Sequence, residues 1–274
     1  MYPANKFILD SDFTHSNEIS LVERLENIMG QLSLENVSVQ YQGTNKFAIE
    51  NITFTLNKGE IVGLLGHNGA GKTTTLECLA GLIQPTKGVR KVTEKLVYVP
   101  SDLYLYNMLT VEETLLFVGR LHGMPKKQII ERADFLLEVF DLSEKKHIYT
   151  KELSFGMKNK LALITGILPD PQVLLLDEPM TGFDALSTKK TKDFLLQFMS
   201  NDKTILLSSH RLDIVEDICE RILVINKGKL IFDGDILTLK EQQNVDSNFE
   251  SALLKLTNPI EEDQGEENSL LLNK

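Results

Sequence analysis

Residues 66–74, with the sequence GHNGAGKTT, constrain the possible folds of this chain more than any other segment. They match the phosphate-loop pattern, in which a glycine and four free positions precede Gly-Lys-Thr. The apolar run 61–65 before them predicts a buried strand, and 73–82 predicts a helix after them. Glycines let the backbone turn so that successive N–H groups face one anion, and the helix start adds a positive dipole end. The segment therefore predicts a cradle for nucleotide phosphates between a strand and a helix.

The side chains of this loop suit a triphosphate and its metal ion. Lys72 carries a point charge on a flexible stem, which fits the β- and γ-phosphates, and the Thr73 hydroxyl is placed to hold Mg²⁺. A glycine-rich turn without a ligand is the alternative, but the pattern and its strand-to-helix context together favour nucleotide binding. His67 occupies a free position, so no catalytic role is assigned to it. The predicted nucleotide-binding residues of the loop are Gly66, His67, Asn68, Gly69, Ala70, Gly71, Lys72, Thr73 and Thr74.

Composition limits the class of protein. The 274 residues leave room for one large domain or two small ones, and no apolar run approaches the roughly 18 residues that span a bilayer. The amino terminus lacks the basic start and apolar stretch of a signal peptide. A net charge of −10, with no basic block, disfavours a nucleic-acid partner. Cys78 and Cys219 lie in apolar helical patterns, which predicts buried thiols in a reducing compartment and a cytosolic chain.

Strand and helix patterns alternate along most of the chain. Thr110 and Glu113 form a capping-box pattern that begins a helix, and 84–88 has the composition of a turn. Alternation of this kind favours a mostly parallel sheet wrapped by helices. The predicted strands are 32–41, 52–56, 96–99, 173–176, 204–207 and 222–225, and the predicted helices include 125–140, 154–168, 185–199 and 212–219.

The two ends of the chain carry weaker patterns. Apolar residues at near-helical spacing in 18–29 predict a short amphipathic helix, which either docks loosely within a mobile leader or binds a partner. Beyond residue 235 the periodic signal fades. The acidic, glycine-containing segment 261–268 is predicted to be disordered.

A second chemical motif lies at 173–179, where an apolar strand ends in Asp177, Glu178 and Pro179. In a nucleotide-hydrolysing enzyme, an acid at such a strand end can hold Mg²⁺ beside the phosphates. The next carboxylate can take a proton from an attacking water molecule. The pair of acids is weak evidence by itself, but together with the phosphate loop it predicts a site for ATP hydrolysis.

From about residue 32 to residue 235, the sequence resembles the ATP-binding subunit of ABC transporters, because several motifs occur in that family's order. Residues 153–158 (LSFGMK) resemble its signature segment, and 178–184 resemble the catalytic acid and the D-loop after it. Residues 206–210 resemble the strand that ends in the switch histidine. Tyr41 stands where the family places an aromatic ring against adenine.

The resemblance implies a role for each matching residue. Tyr41 would stack on the adenine base, and the phosphate loop would hold the phosphates. Asp177 would hold Mg²⁺ together with Thr73. Glu178 would polarise the attacking water molecule, and His210 would contact the γ-phosphate.

The signature residues imply a partner subunit. The Ser154 hydroxyl and the Gly156 amide would contact the γ-phosphate bound by an opposite subunit. This implies a head-to-tail dimer, of two copies or of this chain with a paired ABC subunit, with two ATP molecules at the interface. Phe155 and Met157 depart from the usual signature LSGGQ, although Ser154 and Gly156 remain.

Ser101 stands where the family usually has a glutamine that reaches the Mg²⁺ region, near the place where the membrane partner docks. Serine is shorter, so it would meet the metal only through a water molecule. We therefore expect hydrolysis that is slower, or more dependent on the partner, than is usual for the family.

The resemblance also implies an architecture. The fold class would be α/β, an ABC-type P-loop NTPase with a mostly parallel sheet, an antiparallel β subdomain and a helical subdomain at about 102–168. The ATP-binding domain would occupy 31–240, between an N-terminal extension, 1–30, and a C-terminal extension, 241–274. The implied function is ATP hydrolysis that powers a membrane transporter, with export favoured, through a polytopic permease at the cytoplasmic face of the membrane.

Two other functions fit less well. Soluble ABC-type ATPases that act on ribosomes or DNA usually have two nucleotide modules or long coiled-coil insertions, whereas this chain has one phosphate loop, no sustained heptads and an acidic charge balance. A regulatory module that binds ATP but barely hydrolyses it is favoured only by Ser101. The presence of Glu178 and His210 argues for hydrolysis instead.

Overall fold

The computed structural model describes residues 32–102, 105–199, 202–243 and 248–257. Within these ranges strands and helices alternate as the sequence predicts. In chain order the elements are β1 Leu32–Val39, β2 Ile49–Leu56, β3 Ile61–Leu65, α1 Lys72–Ala80, β4 Lys87–Val92, β5 Leu96–Val99, α2 Val111–Leu121, α3 Lys126–Val139, α4 Phe155–Ile167, β6 Val173–Asp177, α5 Ala185–Met199, β7 Thr204–Ser208, α6 Leu212–Ile218, β8 Arg221–Asn226, β9 Lys229–Gly234, α7 Ile236–Gln242 and α8 Phe249–Thr257, with short 3₁₀ turns at Ser143–Lys145 and Thr150–Glu152.

The larger sheet has six strands in the order β5-β6-β7-β3-β8-β9, and its neighbours are parallel except for the antiparallel pair β8 and β9. Strands β3, β6 and β7 are buried along their whole length, which explains their continuous apolar runs in the sequence. Since these three strands are parallel neighbours, the segments that follow them meet at one edge of the sheet. The phosphate loop, the acidic pair and His210 all lie in those segments. The predicted mostly parallel sheet is confirmed.

A second, three-stranded antiparallel sheet has the order β2-β1-β4. Its buried side chains, such as Leu32 and Phe54, share one core with Leu76 and Leu79 of helix α1. The sequence does not predict β4, because its residues are mostly polar and none of them is fully buried. Strand β2 begins at Ile49, earlier than the predicted start at residue 52. The phosphate-loop helix is therefore held between the two sheets.

Helices α2, α3 and α4 form the helical part of the molecule. Thr110 caps α2, and both hydrogen bonds of the predicted capping box are present. Helix α4 approaches strand β5 closely, because a Cβ at Gly166 would lie 2.3 Å from Cγ2 of Val99. Glycine at this position lets the helix that begins at the signature lie directly on the strand that leads to Ser101.

The chain beyond residue 235 forms two helices that the sequence pattern does not predict. Asp235 caps α7, and Phe249 and Ala252 of α8 are buried in the main core. The expected domain boundary at 240 therefore falls inside α7, and α8 packs on the domain instead of extending from it. The helix expected at 18–29 and the acidic segment at 261–268 lie outside the described residues.

Both cysteines are free and buried, as predicted. Burial raises the pKa of Cys219 to about 12, and burial also raises the pKa of Cys78, against the opposing charge of Arg90. Within the described ranges, none of the helices is both long enough and apolar enough to cross a membrane.

Candidate functional site

The phosphate loop joins β3 to α1 and requires glycine at two positions. Gly66 and Gly71 have φ angles of 154° and 115°, which favour glycine. A Cβ at Gly66 would lie 2.3 Å from the carbonyl oxygen of Ile225, and a Cβ at Gly71 would lie 2.7 Å from Cγ2 of Ile49. The loop can therefore pass this close to β8 and β2 only because these two residues have no side chain.

Lys72 is the first residue of α1, and its side chain turns back along the loop. Its Nζ donates to the carbonyl oxygens of Gly66 at 2.7 Å and of His67 at 3.3 Å. The residue is 8% exposed. Both partners are neutral carbonyl groups, so the ammonium charge is oriented by dipoles and is not neutralised by them. An anion in the cleft can therefore compete for it.

The Asp177 carboxylate, at the end of β6, is 3% exposed and is surrounded by hydroxyl groups. Thr73 Oγ1 donates to Oδ2 of Asp177 at 2.8 Å, and Ser101 Oγ lies 3.4 Å from the same oxygen. Ser208 Oγ, at the end of β7, donates to Oδ1. Magnesium prefers oxygen ligands, so the Thr73 hydroxyl and the Asp177 carboxylate fit this ion. The structure thus brings together all three residues that the sequence assigned to the metal.

Glu178 follows Asp177 in a left-handed backbone conformation, with a φ of 52°. This conformation is uncommon for residues other than glycine and is concentrated at functional sites. The Glu178 N–H donates to the carbonyl and hydroxyl oxygens of Ser208, at 3.2 and 3.0 Å. Oε2 of Glu178 lies 2.8 Å from Nδ1 of His210 and accepts from the His210 N–H at 3.3 Å. The acid and the histidine are therefore paired at the ends of adjacent strands.

Tyr41 lies near the start of α1, where its hydroxyl is 3.0 Å from Oγ1 of Thr74. The residue is 43% exposed, which leaves the ring accessible to a stacking base. Glu77, one turn further along α1, is a neighbour that the sequence did not single out. Burial and the charge of Asp177 raise its pKa, and a hydrogen bond from Tyr41 opposes the rise.

These groups form one cleft of about 370 Å³. Two predicted residues flank this cleft through contacts with residues that line it: His210 contacts Glu178, and Tyr41 contacts Thr74. The lining residues are Ala48, Asn68, Gly69, Gly71, Lys72, Thr73, Thr74, Ser101, Asp177 and Glu178.

The signature residues lie on a different surface. Ser154 caps α4, and its hydroxyl accepts from the Met157 N–H at 3.3 Å. Gly156 lies against the segment after Glu178, since a Cβ there would be 2.6 Å from the Gly182 carbonyl oxygen. Among the described residues that line the cleft, neither Ser154 nor Gly156 is present. The structure therefore does not bring these two predicted site residues to the nucleotide cleft of their own chain.

Two supporting residues were missed by the sequence reasoning. Ser208 contacts both acids of the site, and its signal was its place at the end of an apolar strand, two residues before the predicted switch histidine. Asn159 is 6% exposed, and its Nδ2 donates to the Thr181 carbonyl oxygen at 2.9 Å. Asn159 fastens the signature helix to the segment after Glu178. Nothing in the sequence distinguishes this asparagine from a surface residue of α4.

Comparison with known proteins agrees with this geometry. A family model described as ABC transporter matches residues 49–181. An uncharacterized ABC transporter ATP-binding protein of Methanocaldococcus jannaschii is 38% identical over 206 residues, which cover 75% of this chain and 78% of that protein. The ABC transporter ATP-binding protein NatA of Bacillus subtilis is 32% identical over 227 residues, which cover 77% of this chain and 92% of that protein.

A solved structure described as the ATP binding subunit of an ABC transporter matches with a TM-score of 0.78 and 26% identity. The match covers 83% of this chain and 100% of that chain. The matches to both relatives and to this structure thus extend over most of the length of those proteins. This chain therefore belongs to the ABC transporter family and is an ATP-binding subunit that carries the family's ATPase domain.

Proposed function

We propose that this subunit hydrolyses ATP to power a membrane transporter, and that two such subunits close head to tail on two ATP molecules. The observation that carries the proposal is the pair of Glu178 and His210, whose Oε2 and Nδ1 atoms lie 2.8 Å apart. Glu178 lines the same cleft as Lys72 and Asp177. A carboxylate next to phosphate-binding groups is the arrangement that phosphoryl transfer to water requires.

The residues of one chain account for most of the chemistry. Lys72 binds the β- and γ-phosphates in place of the loop carbonyls that it contacts in this structure. Glu178 takes a proton from the attacking water molecule at its carboxylate, and His210 orients that carboxylate from the end of β7. A magnesium ion held by Thr73 and Asp177 would neutralise charge on the phosphates. Positioning and charge are what phosphoryl transfer needs most.

A second subunit supplies what the first lacks. Ser154 and Gly156 begin a helix whose N-terminal end carries a positive partial charge, and they lie away from their own cleft. Against the cleft of another subunit, this helix start would cover the open side of the γ-phosphate and exclude water. Loss of the γ-phosphate would then release the pair, so that ATP binding closes the dimer and hydrolysis opens it.

A polytopic permease would convert this opening and closing into movement of a substrate. The subunit would then act at the cytoplasmic face of the membrane, bound to the permease. The names of its relatives, which are ABC transporter ATP-binding proteins, support such a partner. We favour export, because the variant signature and the size of the chain resemble exporter-type ATPases.

The Glu178→Gln variant tests the proposal. Glutamine keeps the shape of the side chain but accepts no proton, so ATP hydrolysis should fall by about 100-fold or more while ATP still binds. The trapped ATP should hold two subunits together. Steady-state phosphate release measures the first effect, and light scattering after size exclusion at saturating ATP measures the second.

Glu220→Gln is the matched control, because Glu220 is an exposed acid outside the cleft and its loss should change neither quantity. Steady-state hydrolysis retained in Glu178→Gln would remove Glu178 from the mechanism. Glu178→Gln subunits that stay monomeric at saturating ATP would overturn the paired assembly.

A module that binds ATP but hydrolyses it slowly is the second candidate. Ser101 favours slow hydrolysis, because its short side chain brings a single hydroxyl group to the carboxylate of Asp177. If the unaltered protein hydrolyses ATP at a basal rate close to zero, and Ser101→Gln raises that rate, the result would support this second candidate. The intact pair of Glu178 and His210 supports the first.

A further inference from the structure

The outer side of the phosphate loop is braced by the turn between β8 and β9. The Ile225 carbonyl oxygen occupies the space that a Cβ at Gly66 would need. The Gly228 N–H donates to the carbonyl oxygen of Ala70 at 2.8 Å. These contacts use backbone atoms, so they place the loop without depending on any side chain.

One side chain of the loop joins this brace. His67 is exposed, and its Nδ1 lies 2.7 Å from the carbonyl oxygen of Asn68. Its Nε2 lies 3.2 Å from Oδ1 of Asn226, the last residue of β8. The Asn226 side chain in turn donates from Nδ2 to the Thr257 carbonyl oxygen at 2.9 Å. Three segments that are distant in the sequence thus form one chain of hydrogen bonds.

The chemistry of the acceptors fixes the donors along this chain. A backbone carbonyl oxygen only accepts hydrogen bonds, so the Asn226 NH₂ group must face the Thr257 carbonyl oxygen. The amide oxygen of Asn226 therefore faces His67. Both ring nitrogens of His67 therefore face acceptors. The imidazole is thereby held between the Asn68 carbonyl oxygen and the Asn226 amide group.

The contact of His67 with Asn68 orients a group that faces the cleft. In a trans peptide the C=O and the next N–H point in opposite directions. Because His67 holds the Asn68 carbonyl oxygen on the outer side, the Gly69 N–H points the other way. Asn68 and Gly69 both line the cleft. The imidazole thus fixes the direction of an amide donor without itself lining the cleft.

The far end of the chain of hydrogen bonds is the last residue of α8. Helix α8 is anchored in the main core by Phe249 and Ala252, which are 2% and 0% exposed. The Thr257 carbonyl therefore has a fixed position only while α8 is seated. The Asn226 amide group contacts both the Thr257 carbonyl oxygen and His67, so it links the position of α8 to that of the imidazole.

We propose that His67 is a positioning residue for nucleotide binding, and that Asn226 makes the affinity of the phosphate loop for nucleotide depend on the seating of helix α8. The inference rests on nucleotide binding by this loop. It does not depend on dimerisation, on the permease or on the direction of transport.

The test is a double-mutant cycle on ADP affinity, measured by calorimetry with His67→Leu, Asn226→Ala and the double variant. Loss of one hydrogen bond that orients a donor should weaken ADP binding by about fivefold in His67→Leu. Asn226→Ala should weaken it by a similar factor. The double variant should bind no more weakly than His67→Leu, because the two residues act through the same peptide. His147→Leu, in an exposed histidine of another loop, should leave the affinity unchanged.

Two further readouts separate positioning from a general loss of structure. In His67→Leu the KM for ATP should rise about fivefold, while kcat changes much less, because the reacting groups are untouched. In ¹⁵N-labelled protein, Asn226→Ala should shift the Nε2 resonance of His67, because that nitrogen loses its contact with Asn226. Asn226→Asp keeps the acceptor for His67 and loses the donor to Thr257, so it should leave the Nε2 resonance of His67 in place but weaken the seating of α8.

An unchanged ADP affinity in His67→Leu would overturn the inference, as would strictly multiplicative losses in the double variant. Failure of the unaltered protein to bind ADP would overturn the proposed function as well. The two failures are therefore distinguishable in one set of titrations.

Discussion

The Ser101 hydroxyl lies 3.4 Å from Oδ2 of Asp177, at the point where β5 ends and the chain turns towards the helical part. The other hydroxyl on this oxygen, that of Thr73, is closer at 2.8 Å. Serine at this position therefore contacts the carboxylate weakly and reaches no further into the cleft. A longer amide side chain would extend past Asp177 into the cleft, towards the phosphate loop.

Replacing Ser101 with glutamine should therefore raise the basal rate of ATP hydrolysis several-fold and change its dependence on Mg²⁺ concentration. The added amide would supply a polar group to the metal region, which positions water for phosphoryl transfer. Phosphate release across a Mg²⁺ titration measures both quantities. Asp102→Asn, at the exposed neighbouring residue, is the control. If Ser101→Gln leaves both the rate of ATP hydrolysis and the Mg²⁺ requirement unchanged, Ser101 does not limit the reaction.

At this scale the sequence predicts residues whose chemistry is tied to a motif. Lys72, Asp177 and Glu178 were identifiable because a phosphate loop and an acidic strand end carry recognisable residue types. Asn159 was not identifiable, because its role depends on the Thr181 carbonyl lying next to α4 in space. Contacts between side chains and distant backbone atoms leave no local pattern in a sequence.

Between elements, close approach is controlled by small residues. Helix α4 lies against β5 at Gly166, where an added Cβ would be 2.3 Å from Cγ2 of Val99 and 3.6 Å from Cδ1 of Leu174. Both neighbours are buried side chains, so they cannot move aside easily. The position of the signature helix over the sheet therefore depends on the absence of one methyl group.

Gly166→Ala should destabilise the protein by about 1–3 kcal/mol through overpacking. Alanine is by itself the better helix former by about 1 kcal/mol, so an unhindered site would show stabilisation instead. The sign of the change in unfolding free energy, from urea denaturation, thus decides between the two. Lys158→Ala, at a half-buried position in the same helix, should change stability by less.

A charged junction joins helix α3 to the loop before β6 and to the start of β7. Arg132 Nη2 donates to Oδ1 of Asp170 at 2.7 Å, and Lys203, whose side chain is 6% exposed, donates to the same oxygen. Burial alone would raise the pKa of Asp170. The hydrogen bond from Lys203 and the charge of Arg132 outweigh that effect, so the pKa lies below its usual value of 3.8.

A lowered pKa means that the ionised Asp170 stabilises the folded protein above pH 3.8, and that this contribution is lost as the pH falls through the folded-state pKa. Asp170→Asn should therefore reduce the unfolding free energy by about 1–2 kcal/mol at pH 7, since Asp170 is half-exposed and solvent screens the pair. The difference from the unaltered protein should shrink below pH 3.8. Urea denaturation at several pH values measures this. A difference independent of pH, or one equal to that of Asp193→Asn on α5, would contradict it.

Elements with a strong local sequence pattern were predictable. Elements whose structure depends on pairing or packing with other parts of the chain were not. The buried strands β3, β6 and β7 are continuous apolar runs, and each was predicted to within a few residues. Strand β4 is polar because it lies at the edge of the small sheet, where pairing with β1 decides its conformation. Helix α8 is short, and only its packing on the core shows that it belongs to the domain.

At the scale of the whole molecule, the phosphate-loop cleft and the signature residues lie on different surfaces. Lys72 lines the cleft, and Gly156 lies against Gly182 outside it. If sites form between subunits, a subunit defective in one half can be complemented by a subunit defective in the other. The mixed pair then contains one site with both halves intact.

Lys72→Ala and Gly156→Asp should each hydrolyse ATP poorly alone and should recover activity when mixed. A Cβ at Gly156 would lie 2.6 Å from the Gly182 carbonyl oxygen, so an aspartate side chain there disrupts the signature. Gly156 itself does not line the cleft of its own chain. Phosphate release from the mixture, against each variant alone at equal total concentration, measures the rescue. A mixture no more active than the mean of its components would show that each cleft works without a mate.

The overall architecture followed from the order of motifs along the chain, whereas the head-to-tail assembly implied by the signature residues stays a prediction. Alternating strands and helices around a phosphate loop predict a parallel sheet with a site at one edge, as the structure shows. The surface that carries Ser154 lies away from the cleft of its own chain, and a single chain shows nothing of a surface that packs against it.

Asn159 and the contact of Gly156 with Gly182 tie the signature to the backbone that continues from Glu178. In a head-to-tail pair, this single unit would serve its own nucleotide with Glu178 and its neighbour's with Ser154. The two hydrolytic events would then be kinetically interdependent, because these contacts link the position of Ser154 to that of Glu178. Product departure from one pocket would alter the fit around the triphosphate still held in its twin.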